Sequence, residues 1–362
     1  MIIQERKVYV TRLQSGAVLS RDVYNDRGQL VLPSGTELTT SQIVRLKQMA
    51  TIEVWVVEYM VGPAAPLESQ IPAAPTHVST QPKPTLMDCY NSMIGCMETL
   101  FQEAQIYGRV NLDNTKNLLR NLADSMAQET NFLHLVINLR TLDEYTFQHS
   151  VGVGLLSKQI GEWMGLSESE CEELLLAGTV HDIGKCRIDP AILQKPSRLT
   201  EEEYEIVKHH AFYGYEILRN SGVNVRIAAA AHEHHERSDG SGYPRGLSHD
   251  QIAPIARIVA VADVFNAMTS RRVYKDALSY YRVLDEVQQD AFGALDPQIV
   301  QLFVRKMTSF FVGNEVVLND GTVGTVVLVP PDRPTRPLLR TENGFIDLLQ
   351  QSNLYIEEVR AI

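Results

Sequence analysis

The sequence contains no apolar run approaching the roughly eighteen residues that a membrane-spanning helix needs, so no membrane span is expected. Its opening stretch, Met1-Ile2-Ile3-Gln4-Glu5-Arg6-Lys7, lacks the pattern of a secretory leader. Cysteine is scarce. Cys89, Cys96, Cys171 and Cys186 are the four in 362 residues, and none stands at CxxC spacing. In a chain of this size they read as reduced thiols of a cytoplasmic protein rather than a disulfide framework. An excess of positive charge is also missing. Lys and Arg number 33 against 44 Asp and Glu, a formal net charge of −11. That excludes a non-specific nucleic-acid binder, so DNA is not an expected partner. Any anionic ligand must be held by local cations or by metals.

The remaining composition, 44% hydrophobic and 21% charged, is ordinary for a soluble globular protein, and the length suits two or three domains. Residues 1–60 read as a small α/β unit. Val8-Tyr9-Val10, Leu30-Val31-Leu32 and Ile52 to Val57 are strand-like, and Thr39, Thr40 and Ser41 can cap a helix carrying Ile43, Leu46 and Met49. Residues 61–84 hold six prolines among Ala, Ser, Thr and Gln, a composition that cannot bury a core and predicts an extended linker. Residues 85–308 read as helix almost throughout, with apolar stripes such as Met93, Met97, Leu100, Phe101 and Leu118, Leu119, Leu122, Met126. Such helices suit packing within their own domain or contact in a homodimer. Residues 309–362 turn β-rich around Asn319-Asp320-Gly321 and predict a small β module.

The chemistry concentrates at His181-Asp182-Ile183-Gly184-Lys185, at the end of the apolar run Leu174 to Val180. Ionisable groups at the end of a buried helix are unfavourable unless something pairs with them, and a metal ion suits an imidazole and a carboxylate together. Further ligands fall on helix faces that should be buried. His149 continues the stripe Val153, Leu156, Ile160, Trp163. Ser167 with Glu170 and Thr200 with Glu203 resemble capping boxes that open the helices leading to His181 and His210. His210 shares a face with Ile206, Tyr213 and Ile217, and His234 and His235 lie with Ile227 and Ala231. Asp263 sits inside the apolar run Ile258 to Phe265. Taken singly, a histidine on an apolar face is usually a hydrogen-bonded core residue. Five histidines and two aspartates, all inward and all between His149 and Asp263, are much harder to dismiss.

Imidazole and carboxylate without thiolate suit Fe or Mn, with Zn, Ni and Co also compatible. Seven ligands are too many for one ion and suit two divalent ions bridged by a carboxylate and a hydroxide, with Asp182 the natural bridge. Two such ions activate water and clamp phosphoryl oxygens, which is phosphoester hydrolysis by hydroxide attack. Asp182 and Lys185 are the catalytic candidates, Lys185 placing positive charge on a phosphate oxygen. In the following loop, Tyr243 offers a stacking face for a base, and Arg237 and Arg245 offer phosphate or guanine contacts. Arg271, Arg272 and Lys275 form a further basic cluster.

His181-Asp182 with His149 and Asp263 resembles the HD superfamily of metal-dependent phosphohydrolases. The run His234-His235-Glu236-Arg237-Ser238-Asp239-Gly240-Ser241-Gly242-Tyr243-Pro244 is similar to the signature of its HD-GYP branch, the bacterial cyclic-di-GMP phosphodiesterases. The resemblance covers about residues 140–305. It implies an all-α HD-type catalytic domain with a non-haem Fe or Mn centre held by His149, His181, Asp182, His210, His234, His235 and Asp263. It also implies hydrolysis of cyclic-di-GMP to linear pGpG, with further cleavage to GMP left open, and Lys185 touching a substrate phosphate. In that family the Gly242-Tyr243-Pro244 loop would also dock GGDEF-domain proteins. Tyr145 stands where some members carry a glutamate for a third metal, so two metals are expected. A rival reading is a member that binds cyclic-di-GMP or a partner protein without turnover. Another is hydrolysis of a different cyclic dinucleotide.

Overall fold

A computed structural model of the chain describes residues 2–9, 17–24, 30–36, 38, 39, 42, 46, 53–60, 85–127, 145–269, 280–290 and 293–360. Two compact units divide it, Met1–Ser79 and Thr80–Ile362. The expected linker, residues 61–84, falls outside the described residues.

In the first unit, strand β1 (Ile2–Tyr9) runs antiparallel to β4 (Glu53–Met60), Ile2 facing Met60 and Tyr9 facing Glu53. Strands β2 (Val23–Tyr24) and β3 (Leu30–Leu32) form a second antiparallel pair. Leu19, Val23, Leu32, Leu38, Leu46, Val54 and Val56 make its core. Thr39 and Gln42 bond reciprocally, the Thr39 N–H donating to Gln42 Oε1 at 2.9 Å and the Gln42 N–H to Thr39 Oγ1 at 3.4 Å, while most of the helix expected after them lies outside the described residues. Ile43 and Met49 lie outside the described residues.

The second unit opens with α1 (Leu86–Tyr107), started by a Thr85–Asp88 capping box and ended by Gly108 at φ 64°. It packs against α2 (Asp113–Ala127). A helical hairpin follows, α3 (Tyr145–Trp163) and α4 (Glu168–Val180), the latter started by the Ser167–Glu170 capping box. Their crossing is close because Gly154 meets Gly178. A Cβ on Gly178 would fall 2.8 Å from both Gly154 Cα and Val153 O. That approach sets the start of α3, with His149, beside the end of α4, with His181. A short turn, Ile183–Arg187, leads to α5 (Pro190–Leu193), α6 (Glu201–Lys208), α7 (His210–Asn220) and α8 (Val225–Glu233). Helices α9 (Pro254–Thr269), α10 (Tyr280–Asp290) and α11 (Pro297–Ser309) complete the helical layer.

One expected stripe is broken. α6 and α7 are separate helices that meet at His209, so Ile206 does not share a face with His210, and it is exposed. His210, Gly214 and Ile217 keep the inward face of α7 alone.

The C-terminal sheet comprises β5 (Glu315–Leu318), β6 (Val323–Leu328), β7 (Leu338–Thr341), β8 (Gly344–Asp347) and β9 (Ile356–Arg360). Their spatial order is β8-β7-β6-β5-β9, all antiparallel. Val316 and Leu318 alternate inward and share one apolar core with Phe303, Met307 and Phe311 of the helical layer. The β module is thus continuous with the helices rather than tethered to them. No helix among the described residues is long and apolar enough to cross a membrane.

Candidate metal centre

All seven side chains singled out as ligands converge. Asp182, His210, His234 and His235 bring ligating atoms within 4.8 Å of one another, as do His149, His181 and Asp182, and His181, His234 and Asp263. They come from five places on the helical layer: α3, the end of α4, the start of α7, the end of α8 and the middle of α9. Asp182 joins two of the groups. Its Oδ2 lies 3.2 Å from His181 Nε2, and its Oδ1 lies 3.3 Å from His210 Nε2 and 3.8 Å from His234 Nε2. Asp263 Oδ1 lies 3.0 Å from His149 Nε2 and 3.9 Å from His181 Nε2.

Four of the imidazoles are oriented by what holds Nδ1. His181 Nδ1 donates to Gly178 O at 2.7 Å and His210 Nδ1 to Val207 O at 2.6 Å. His234 Nδ1 donates to Ala231 O at 3.0 Å, and His149 Nδ1 to Asn266 Oδ1 at 3.0 Å. With the proton on Nδ1, each ring turns its Nε2 lone pair inward, the tautomer a metal ligand requires. His181 Nε2, His210 Nε2, His234 Nε2 and Asp182 Oδ1 are buried and have no hydrogen-bond partner among the described residues. Buried polar atoms without partners are costly, so four of them around one point mark a place built for a cation. The residues present fit a metal centre.

The electrostatics agree at three of the imidazoles, while at His181 the Asp182 and Asp263 carboxylates outweigh burial and raise it. Burial pushes His210 down, and burial with the neighbouring His235 pushes His234 well down. Burial also takes His235 down to about 3. These three rings are therefore neutral and available as ligands. At Asp182, burial alone would raise the carboxyl, but the Lys185 ammonium and the neighbouring imidazoles hold it well below the usual range. Asp263 is lowered in the same way, with His149 the main opposing partner to burial. Lys185 Nζ donates to Asp182 Oδ2 at 2.5 Å and remains partly open to solvent.

The loop after α8 folds back on its own root. Glu236 is buried and accepts the backbone N–H of Arg245 at 2.7 Å and of Leu247 at 2.8 Å. Glu233 accepts the N–H of Ala253 at 2.7 Å and an Arg245 guanidinium N–H at 2.5 Å. Arg245 is thus held by Glu233, and Arg237 donates to the carbonyls of His234 and Glu236. Tyr243 stacks on His235, with ring centroids 4.6 Å apart. Arg271, Arg272 and Lys275, and the side chains of Glu144 and Tyr145, lie outside the described residues.

Three contributors escaped the reading of the sequence. Asn266 stands three residues after Asp263, a helical spacing that puts it beside the ligand, but in the sequence it stands out only as a departure from the family pattern bearing on substrate fit, not as a support for His149. Glu233 and Glu236 flank the paired histidines, but their hydrogen-bond partners arrive from nine to twenty residues away. Of the other histidines, His209 Nδ1 donates to Glu205 O at 2.8 Å, His232 stacks on Tyr215 and His249 pairs with Asp296, while His77 and His134 lie outside the described residues.

Residues 112–299 match the model of the HD domain family. The chain belongs to the HD domain family. Among similar proteins is a cyclic di-GMP phosphodiesterase of Pseudomonas aeruginosa, 31% identical over 83% of this chain and 74% of that protein. A cyclic di-GMP phosphodiesterase of Thermotoga maritima is 42% identical over 52% of this chain and 53% of its own length. A 3′3′-cGAMP-specific phosphodiesterase of Vibrio cholerae is 38% identical over 46% of this chain, which spans 39% of that protein. This chain therefore spans only about half, or less, of the last two relatives. In fold, the HD domain and its flanking elements resemble the solved structure of an HDG"Y"P protein from Bdellovibrio bacteriovorus. That likeness has a TM-score of 0.55 and 16% identity, and covers 84% of this chain and 99% of that one.

Proposed function

We propose that this chain is a metal-dependent phosphodiesterase that opens cyclic-di-GMP to linear pGpG. In this reading His149, His181, Asp182, His210, His234, His235 and Asp263 hold two divalent cations, Fe or Mn by preference, and Lys185 contacts a substrate phosphate. The observation that carries it is the set of inward, buried, unpartnered Nε2 atoms around Asp182. Two divalent cations, when bound, acidify a water molecule and clamp phosphoryl oxygens. The protein's part is to fix that geometry. The carbonyls of Gly178, Val207 and Ala231 hold the imidazole lone pairs inward. Asp182 offers one oxygen to each half of the site. Lys185, partly solvent-accessible and 2.5 Å from Asp182, holds positive charge at the edge where an anionic substrate would arrive.

The substrate assignment draws on the relatives of Pseudomonas aeruginosa and Thermotoga maritima, both named for cyclic di-GMP. A second cyclic dinucleotide, cyclic GMP-AMP, is favoured by the Vibrio cholerae relative. A binding-only sensor is disfavoured because no ligand of the seven is lost. Docking of a GGDEF domain on the Gly242-Tyr243-Pro244 loop is compatible with the exposure of Pro244 and Arg245 at its outer edge. The test incubates purified protein loaded with Fe(II) or Mn(II) with cyclic-di-GMP and, in parallel, cyclic GMP-AMP, and separates the products by chromatography. Linear pGpG from the first substrate is expected. Faster turnover of cyclic GMP-AMP would reassign the substrate, and no turnover of either would leave the sensor reading in its place.

A further inference from the structure

His235 differs from the other four imidazoles of the cluster. Among the described residues no hydrogen bond holds its ring, whereas each of the others donates from Nδ1 to an oxygen. What His235 has instead is ring packing: the rings of its fellow ligands His234 and His210 lie 4.1 Å and 5.1 Å away between centroids, and the one stacked face, inclined by 30° at 4.6 Å, is that of Tyr243, which is not itself a ligand.

Tyr243 is in turn fixed by backbone. Its N–H donates to His235 O at 3.2 Å. The preceding Gly242 lies so close to the loop's root that a Cβ there would fall 2.3 Å from Arg237 N and 2.5 Å from His235 O. Two residues beyond Tyr243, the N–H of Arg245 is taken by the buried Glu236. The ring's remaining surroundings are also supplied by the protein. Lys208 Nζ lies over it at 5.9 Å, and the Tyr204 ring meets it nearly edge-on at 6.2 Å.

We propose that Tyr243 is a positioning residue for His235, its ring substituting for the hydrogen bond that orients the other imidazoles. A histidine ring free to rotate about its side-chain torsions would present Nε2 to the site only part of the time. A flat aromatic face, pinned at both ends, restricts that rotation without consuming either ring nitrogen. The inference rests on the proposed metal centre and assigns Tyr243 to that centre's geometry rather than to base recognition.

The test titrates Mn(II) anaerobically into the metal-free 362-residue chain and measures stoichiometry and affinity for wild type, Tyr243→Phe, Tyr243→Leu and Tyr243→Ala. Circular dichroism and Tm serve as the check on folding. Tyr243→Phe keeps the flat face and should bind two ions as wild type does. Tyr243→Leu fills much of the space without a flat face. It and Tyr243→Ala should each weaken one of the two ions by about 10- to 100-fold. Two ions bound with wild-type affinity by Tyr243→Leu and Tyr243→Ala, with a raised KM for the cyclic dinucleotide, would overturn the inference and return Tyr243 to substrate binding. An equal loss in Tyr243→Phe would also overturn it. Fewer than two ions on wild type would instead defeat the two-metal reading itself, and the inference with it.

Discussion

Asn266 Oδ1 accepts a hydrogen bond from His149 Nδ1 at 3.0 Å. The opposite ring nitrogen, Nε2, then faces Asp263 Oδ1 at 3.0 Å as a lone pair against a carboxylate. Two acceptors at that distance repel unless a cation or a proton lies between them. The side-chain amide of Asn266 thereby commits His149 to the form that a metal can use.

Asn266→Ala removes that commitment. Loss of such a supporting hydrogen bond lowers metal affinity by about 10- to 100-fold. Asn266→Asp, which retains an acceptor, should lose much less. Metal content after equilibrium dialysis, compared across the two variants, checks this.

Lys185 separates rate from metal binding. Lys185→Met should retain two ions and lose about 10²- to 10³-fold in kcat, the scale of removing one charge-stabilising donor. Steady-state kinetics alongside metal analysis would decide the matter. Unchanged kcat would remove Lys185 from the phosphate role.

Much of this centre is legible in the sequence because the ligands announce themselves locally. His149 and Asp263 interrupt apolar helix faces, and the capping boxes at Ser167 and Thr200 mark where the helices leading to the ligands begin. The supporting groups are less legible. Asn266 carries no charge, and the buried carboxylates of Glu233 and Glu236 acquire meaning only when distant backbone N–H groups reach them. The break at His209 has no Gly or Pro to signal it, so periodicity alone carried Ile206 into the wrong helix face. The stack of Tyr243 on His235 depends on a loop returning to its root, which spacing does not encode.

The crossing of α3 and α4 tests the scaffold. A Cβ on Gly154 would lie 2.1 Å from Thr179 Oγ1 and 2.6 Å from Leu175 O, so the helices must separate to admit it. Gly154→Ala should destabilise the fold by about 1–3 kcal/mol, as overpacking a tight core does. Urea unfolding monitored by circular dichroism gives the value. Metal affinity should fall as well, because His149 and His181 are set by that crossing.

Asp296 ties the loop after α8 to α11. It accepts the N–H groups of Gln298 and Ile299, and its Oδ2 meets Arg257 at 2.8 Å and His249 at 3.0 Å. Burial would raise its carboxyl, but the Ile299 N–H and His249 hold it below the usual carboxylate range. A depressed carboxyl stabilises the fold above its unfolded pKa, and that contribution is lost as pH falls through the folded value. Asp296→Ala should therefore cost about 1 kcal/mol at neutral pH, typical of a lost cap. Its Tm deficit should narrow once pH falls below about 4. Thermal melts of both proteins across pH check the sign.

The central claim is tested most directly by counting metal on wild type and on Asp182→Ala after anaerobic loading with Fe(II) and removal of loosely held ions. Two equivalents on wild type, and a loss of both in the folded variant, are predicted, since Asp182 reaches the histidines of both halves of the site. Two tightly held equivalents on folded Asp182→Ala, or none on wild type, would contradict it.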